Sequence, residues 1–480
     1  MHWLDLSIFL TYMVAMLGVG LYFFYQNKTT EDYYVGGRKI GSWHIGLSVV
    51  ATDVGGGFSI GLGGLGFALG ISGSWMLFTG LIGAWLAAVF LIPSVNKLSK
   101  EINLLTLPQL FGYLFNGRVA LMTGILSAIG YVGFTSSQIL AGAKLATATF
   151  PTLELPTALW VMGGVAVIYT VFGGLKAVIY TDTVQWIILM GGLLFVALPL
   201  GYYEVGGWEG LQNTLPKSYF DFQNITWQTF VNWGITIIPI WFVGMTLYQR
   251  IFAAKNEQEA QKAWFIAGLL EWPLMAIMGV SLGIIARAAV EQGLLAGITA
   301  AGTDAEMGVP LLLRYTLPYG LMGVVLAAYF SAIMSTADSC LMAASSNIMT
   351  DLMKPFIKLT ERQEMRWSQV LTFIVGLGAI AISNYMTQVL DLMLMSYSVM
   401  VSGLTIPLLA GMFMRKVSSR GALWAIIMGG GTTITLLATS MELPLGLDAN
   451  VFGLSASAIT YFVIGIFHSD KQEVFEKVSL

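Results

Sequence analysis

Three aspartates, Asp53, Asp182 and Asp338, stand inside long apolar stretches of the 480-residue sequence. A carboxylate at mid-bilayer costs roughly 2.5–3.5 kcal/mol, so such a residue pairs with a charge or marks the path of an ion or substrate. The basic residues nearest at hand, Lys144 and Lys176, fall at the ends of apolar stretches, where a long side chain snorkels to water. A mobile cation is then the economical partner. The run Phe330-Ser331-Ala332-Ile333-Met334-Ser335-Thr336-Ala337-Asp338-Ser339-Cys340 supports this reading. On a helix Ser331, Ser335, Asp338, Ser339, Ser345 and Ser346 fall in one arc of about 120°, with Thr336 on its edge. Hydroxyl and carboxylate oxygens are ligands for hard cations rather than transition metals, and such a stripe facing an unwound helix makes a cradle for Na⁺. Serines that bond the preceding turn or a neighbouring helix would account for any two of these residues. They account poorly for six that include an aspartate.

Only 49 of the 480 residues are charged and 56% are apolar, whereas a soluble chain is about 25% charged. A soluble protein is excluded. The net charge of −3 argues against a nucleic-acid binder, whose footprint is basic. One cysteine, Cys340, and three histidines, His2, His44 and His468, allow no internal disulfide and no Cys- or His-based zinc centre. No P-loop pattern occurs, no segment is long enough for a soluble catalytic domain, and no catalytic residues emerge. The expectation is a non-enzyme without an organic cofactor, embedded in the lipid bilayer.

A spanning helix needs about 20 mostly apolar residues. Thirteen stretches qualify, at roughly 4–25, 43–70, 74–95, 118–149, 157–173, 180–201, 230–252, 262–288, 316–350, 367–384, 387–414, 420–440 and 449–468. The first has no Lys or Arg before it and is too long for a cleavable signal. With the N-terminus outside and the C-terminus cytoplasmic, 19 of the 23 basic residues fall inside, and only Lys144, Lys217, Arg287 and Arg314 fall outside. That is a strong positive-inside bias, and it predicts a multi-pass protein of the plasma (inner) membrane.

Two crossings carry residues that weaken a helix. The second holds Asp53-Val54-Gly55-Gly56-Gly57-Phe58, and the seventh holds Pro239 and Gly244 around Trp241-Phe242. Irregular backbone survives in a membrane only where it is buried or lines a cavity. The breaks lie five crossings apart, so the second unit is inverted relative to the first. Interrupted helices at equivalent places of inverted repeats point to the midplane site of a secondary transporter. Close packing at small residues is the competing explanation, and it fits Gly61-Leu62-Gly63-Gly64 better than Gly55 to Gly57.

At these residues the chain resembles the sodium/solute symporters, the family of sodium/proline, sodium/glucose, sialic acid, pantothenate and choline transporters. The matching stretches are Tyr34-Val35-Gly36-Gly37-Arg38, Tyr169 to Ala177, Tyr180-Thr181-Asp182-Thr183-Val184-Gln185, Gln249 to Asn256, and Ser331 to Thr336. The resemblance implies a LeuT-type fold. Its parts are a first helix and loop (1–42), a five-helix repeat (43–201), an outer loop (202–229), a second inverted repeat (230–414), and two further helices with a short tail (415–480). It also implies a sodium site made by the carbonyls of Ala51, Val54 and Ala332 with the hydroxyls of Ser335 and Thr336. Some members resemble a second site nearer the cytoplasm, here Asp182 with Ser335, Asp338 and Ser339.

The solute is less determined. Asp53 lies between two implied ligating positions, where proline transporters resemble this chain with an aspartate. Gly55-Gly56-Gly57 and Ala337-Asp338-Ser339 look more like choline transporters, yet the tryptophan those carry at the Asp53 position is absent, which weakens an aromatic cage. The polar signature of glucose-type and sialic-acid-type members before Gln249-Arg250 is missing. The expected solute is an amino acid or related zwitterion. It would meet Asp53, Gly55, Gly56 and Phe58, with Trp241 and Phe242 as walls and Gln138 as a polar contact. A quaternary amine, carboxylate or sugar in the same family, proton coupling through Asp182 or Asp338, a channel, and a transporter-derived sensor are the alternatives. Stoichiometry and oligomeric state stay open.

Overall fold

The computed structural model describes residues 3–26, 33–34, 38–150, 152–295, 304–439, 441–468 and 470–471. The chain is an all-α bundle. Helix α1 (Trp3–Gln26) is followed by α2 (Ser42–Val54), α3 (Gly56–Leu69) and α4 (Trp75–Leu86). Then come α5 (Gly117–Thr149), α6 (Leu155–Gly192), α7 (Trp227–Val243) and α8 (Met245–Ala253). The second half holds α9 (Glu257–Leu269), α10 (Ala276–Glu291), α11 (Leu321–Ser346) and α12 (Glu361–Ser383). Helices α13 (Val389–Phe413), α14 (Ser419–Thr439) and α15 (Ala449–Phe467) complete it.

Among the described residues ten helices are long and apolar enough to cross a membrane, or eleven if the bent pair α7–α8 is one span. The chain is therefore a multi-pass membrane protein; thirteen crossings stay an expectation. Helical backbone runs through 155–192, but the chain doubles back within it. Tyr169 Oη and Thr181 Oγ1 lie 3.3 Å apart, whereas twelve residues of straight helix rise about 18 Å.

Burial grades across the bundle. In 321–353 the most apolar window is 94% buried, against 22% in 449–467, so α11 forms the centre and α15 the lipid-facing rim. Apolar residues of α15 such as Ile459, Phe462 and Ile466 are exposed accordingly.

Among the described residues three breaks between helices bear on the site. The first falls at Gly55 (φ −13°, ψ −158°), between α2 and α3. A Cβ there would sit 2.1 Å from Thr336 Oγ1, so only glycine lets α11 come this close. The second falls at Gly244, where α7 and α8 meet at 40°. Helix α7 runs through Pro239, so the break falls at the glycine and not at the proline. The third, between α9 and α10, was not expected: Trp272 is non-helical (φ −132°, ψ 125°) beside Pro273, and a proline cannot donate to the turn before it. The half-helices α2 and α8 are joined at their ends remote from the breaks, where Ile40 N donates to the Ala253 carbonyl and Lys255 N to the Ile40 carbonyl.

Candidate cation and solute site

The end of α2 and the middle of α11 meet through oxygen atoms. Thr336 Oγ1 donates to the Ala51 carbonyl at 3.0 Å and lies 3.3 Å from the Ala332 carbonyl, while Ser335 Oγ donates to Ala332 at 3.1 Å. Carbonyls at the C-terminal end of a half-helix carry the negative end of its dipole. Four of the five implied sodium ligands, Ala51, Ala332, Ser335 and Thr336, thus converge on one seam. Val54 is the last residue of α2, with its carbonyl at the same helix end. The set fits a small hard cation, because every donor atom is oxygen and the seam is buried.

The opposite half-helix is closed differently. Gln138 Oε1 accepts from the Gly56 amide at 2.7 Å, and its Nε2 donates to Ser137. Gln138 caps the start of α3, and its acceptor is spent on the backbone. A Cβ on Gly56 would come 2.4 Å from the Ala141 Cβ, so Gly56 serves contact between α3 and α5. The side chain of Phe58 lies outside the described residues. Phe242 is buried, and Trp241 is fully buried.

The serine stripe does not face one partner. Ser331 bonds Tyr12 of α1, Ser339 lies 3.2 Å from Thr52, and Asp338 accepts from Thr170. Ser345 and Ser346 donate to the carbonyls of Met342 and Ala343 one turn back, so for these two the bland explanation holds. The stripe is spread over α1, α2, α6 and its own helix.

Asp182 overturns the expectation that the intramembrane aspartates lack basic partners. Arg250 of α8 is fully buried, and its Nη2 lies 3.4 Å from Asp182 Oδ2. The guanidinium also donates to Ser48 at 3.0 Å, to Ser339 at 2.9 Å, to the Thr246 carbonyl and to Thr52. Ser48 Oγ donates to Asp182 at 2.5 Å, and Ser335 lies beside the same carboxylate. The residues of the possible second sodium site, Asp182, Ser335, Asp338 and Ser339, are therefore neighbours, but a resident arginine already supplies a positive charge among them. Arg250 sits near the end of its apolar stretch, so its position in the sequence does not disclose this pairing.

Lys144 is a second correction. It does not snorkel: it is buried, with Nζ 2.6 Å from both Asp304 and Glu306. Glu306 in turn accepts from the amides of Val389 and Leu390 at 2.9 Å each, where a carboxylate complements the positive N-terminal end of α13. One ion-pair cluster therefore ties α5 to α13.

Asp53 reaches past the α2–α3 break toward a residue that sequence reasoning missed. Glu271, at the third break, is fully buried and within interaction distance of the Asp53 carboxyl. Tyr397 Oη donates weakly to Asp53 Oδ1 at 3.5 Å. A charged residue directly before Trp-Pro in an apolar stretch was the available signal.

Comparison with known proteins agrees with this architecture. The model of the sodium:solute symporter family matches residues 33–429. The sodium/proline symporter of Salmonella typhimurium is 30% identical over 89% of this chain and 87% of its own length. The sodium/glucose cotransporter 1 of Ovis aries is 26% identical over 88% of this chain and 70% of its own. A Na⁺-coupled sialic acid symporter solved in a substrate-bound outward-open state superposes with a TM-score of 0.80 at 20% identity, over 98% of this chain and all of that one. A nucleobase-cation-symport-1 family transporter superposes at 0.58, over 92% of this chain and 96% of that one. The fold is the LeuT type, and the chain belongs to the sodium:solute symporter family.

Proposed function

We propose that the chain imports a small organic solute bearing an ammonium group, coupled to sodium entering down its gradient. The observation that carries this reading is the oxygen seam of Ala51, Ala332, Ser335 and Thr336 between α2 and α11. A cation bound there bridges the two repeats and raises the population of the state that accepts solute. Rocking of one bundle against the other then opens the site to the opposite face. The membrane potential adds about 2.3 kcal/mol per charge per 100 mV to the driving force. Asp53, one helix position from the seam, meets the ammonium group, and Trp241 and Phe242 wall the pocket. A second sodium beside Asp182 would have to share its oxygens with Arg250, which favours one coupled ion. The distribution of basic residues supports an N-terminus outside and a cytoplasmic C-terminus.

Uptake into proteoliposomes tests the proposal. Labelled amines and amino acids are offered under an inward Na⁺ gradient, and again with K⁺ replacing Na⁺. Accumulation above equilibrium in Na⁺ alone, collapsed by a sodium ionophore, is the expected result. Equal uptake in K⁺, or equilibration without accumulation, would exclude sodium symport and favour a channel.

A further inference from the structure

Helix α8 begins at the Gly244 break with no cap of its own, since glycine offers no side chain. The first amides of a helix find no partner within it, and here one comes from another helix. The Thr246 N–H donates to Tyr131 Oη of α5 at 3.1 Å, and the two hydroxyls lie 3.2 Å apart. An oxygen on the second or third amide is ordinarily the work of an N-cap side chain. A buried tyrosine does it from across the interface. Thr246 is held from the other side as well, because Arg250 Nη1 donates to its carbonyl at 3.1 Å.

The two helices joined in this way are anchored to different neighbours. Helix α5 is fitted to α13 without slack: a Cβ on Gly130 would lie 2.4 Å from Met400 Cγ, and one on Gly133 2.5 Å from Ser396 Oγ. Phe134, about one turn from Tyr131, meets Tyr397 edge-on with ring centres 4.8 Å apart. Close packing of this kind transmits a movement rather than absorbing it. The far end of α8 is bonded elsewhere. Asn96 Nδ2, in the helix Ile92–Glu101, donates to the Ile251 carbonyl at 3.0 Å, and Ile40 N donates to the Ala253 carbonyl. A rocking that carries α8 with α2 away from α5 therefore breaks the Tyr131 contacts and spares those at the far end. A bond present in only one arrangement biases the equilibrium toward it.

We propose that Tyr131 is a positioning residue for transport: its hydroxyl latches α8 against α5 and lets go when the site opens on the α8 side. The latch acts through Thr246, whose carbonyl in turn fixes the Arg250 guanidinium. Arg250 ties the middle of α8 to Asp182 and Ser339, so Tyr131 shares the closure rather than making it alone. This rests on the alternating-access reading of the function. The ring only packs, and the hydroxyl is the working part, so Tyr131→Phe isolates it. Loss of one ordinary hydrogen bond shifts such an equilibrium about fivefold.

The chain carries its own reporter. Cys340 of α11 is buried and lies within electrostatic reach of both Tyr131 and Arg250. Helix α8 packs against α11, so its departure uncovers the thiol. The rate at which N-ethylmaleimide alkylates Cys340 in the purified full-length protein is read for wild type, Tyr131→Phe and Thr246→Val, in Na⁺ and in K⁺. Tyr131→Phe is expected to react about fivefold faster than wild type. Thr246→Val keeps the amide bond to Tyr131 and should show a smaller gain. A buried thiol away from α8, Ala425→Cys in a Cys340→Ser background, should react no faster when Tyr131→Phe is added. A Cys340 rate in Tyr131→Phe equal to wild type, or an equal acceleration at position 425, would overturn the proposal. Should Tyr131→Phe not fold, Thr246→Val decides, and a rate equal to wild type overturns the latch. Equal wild-type rates in Na⁺ and K⁺, with the Tyr131→Phe gain present, would support the latch and count against sodium coupling instead.

Discussion

Arg250 shows how much depends on a single side chain. It is a fully buried cation that satisfies Asp182, Ser48, Thr52 and Ser339 together, and so pins α8 to α2, α6 and α11. Removing one partner of such a pair leaves an uncompensated charge, at a cost of about 3–5 kcal/mol. Arg250→Met is therefore expected to lower thermal stability strongly, and Arg250→Met combined with Asp182→Asn to recover much of the loss. A double variant no more stable than Arg250→Met would show that the two do not act as a pair. The oxygens of Ala51, Ser335 and Thr336 were legible in the sequence, since a resemblance fixes short motifs residue by residue. Arg250–Asp182, Lys144–Glu306 and Asp53–Glu271 were not. Each joins residues from separate helices, and a helical projection sees one helix at a time.

At the scale of elements, the breaks at Gly55 and Gly244 were readable because glycine runs and the five-crossing spacing are local signals. The break at Trp272 was passed over, although Glu271-Trp272-Pro273 carries as clear a signal as Pro239, which proved to lie inside a continuous helix. A proline alone does not say whether its helix breaks; what packs against it decides. The Gly55 break is also a close contact, so Gly55→Ala would drive a methyl onto Thr336 Oγ1 at 2.1 Å. That substitution is expected to abolish sodium-dependent uptake, whereas Gly164→Ala, in open space, should leave uptake near normal. Glu306 holds Lys144 and the first amides of α13. Glu306→Gln keeps a hydrogen-bonding side chain but drops the charge. It should destabilise the fold by about 1–3 kcal/mol, read as a lowered unfolding midpoint, and Lys144→Met in that background should lower it further, because Asp304 then loses its partner.

For the whole molecule, the sequence conveyed the membrane class and the fold through its poverty of charge. Burial of Lys144 bears on the charge distribution, since one of the four basic residues expected on the outer side is part of the packed interior rather than a loop charge. The orientation is directly testable because the chain has one cysteine, Cys340, which is buried. In a Cys340→Ser background, Lys217→Cys and Lys358→Cys place thiols at exposed positions. A membrane-impermeant maleimide is expected to label position 217 on intact cells and position 358 only after permeabilisation. The reverse pattern would invert the topology and with it the direction of coupling.

Coupling, as proposed, depends on a sodium ion that bridges α2 and α11 at Ala51, Ala332, Ser335 and Thr336. Equilibrium binding of labelled Na⁺ to the purified protein, with K⁺ holding ionic strength constant, tests it most directly. The expected result is saturable binding that K⁺ does not displace, weakened about tenfold or more in Thr336→Val by loss of one charge-assisted contact. Binding that K⁺ displaces equally, or that Thr336→Val leaves unchanged, would contradict it.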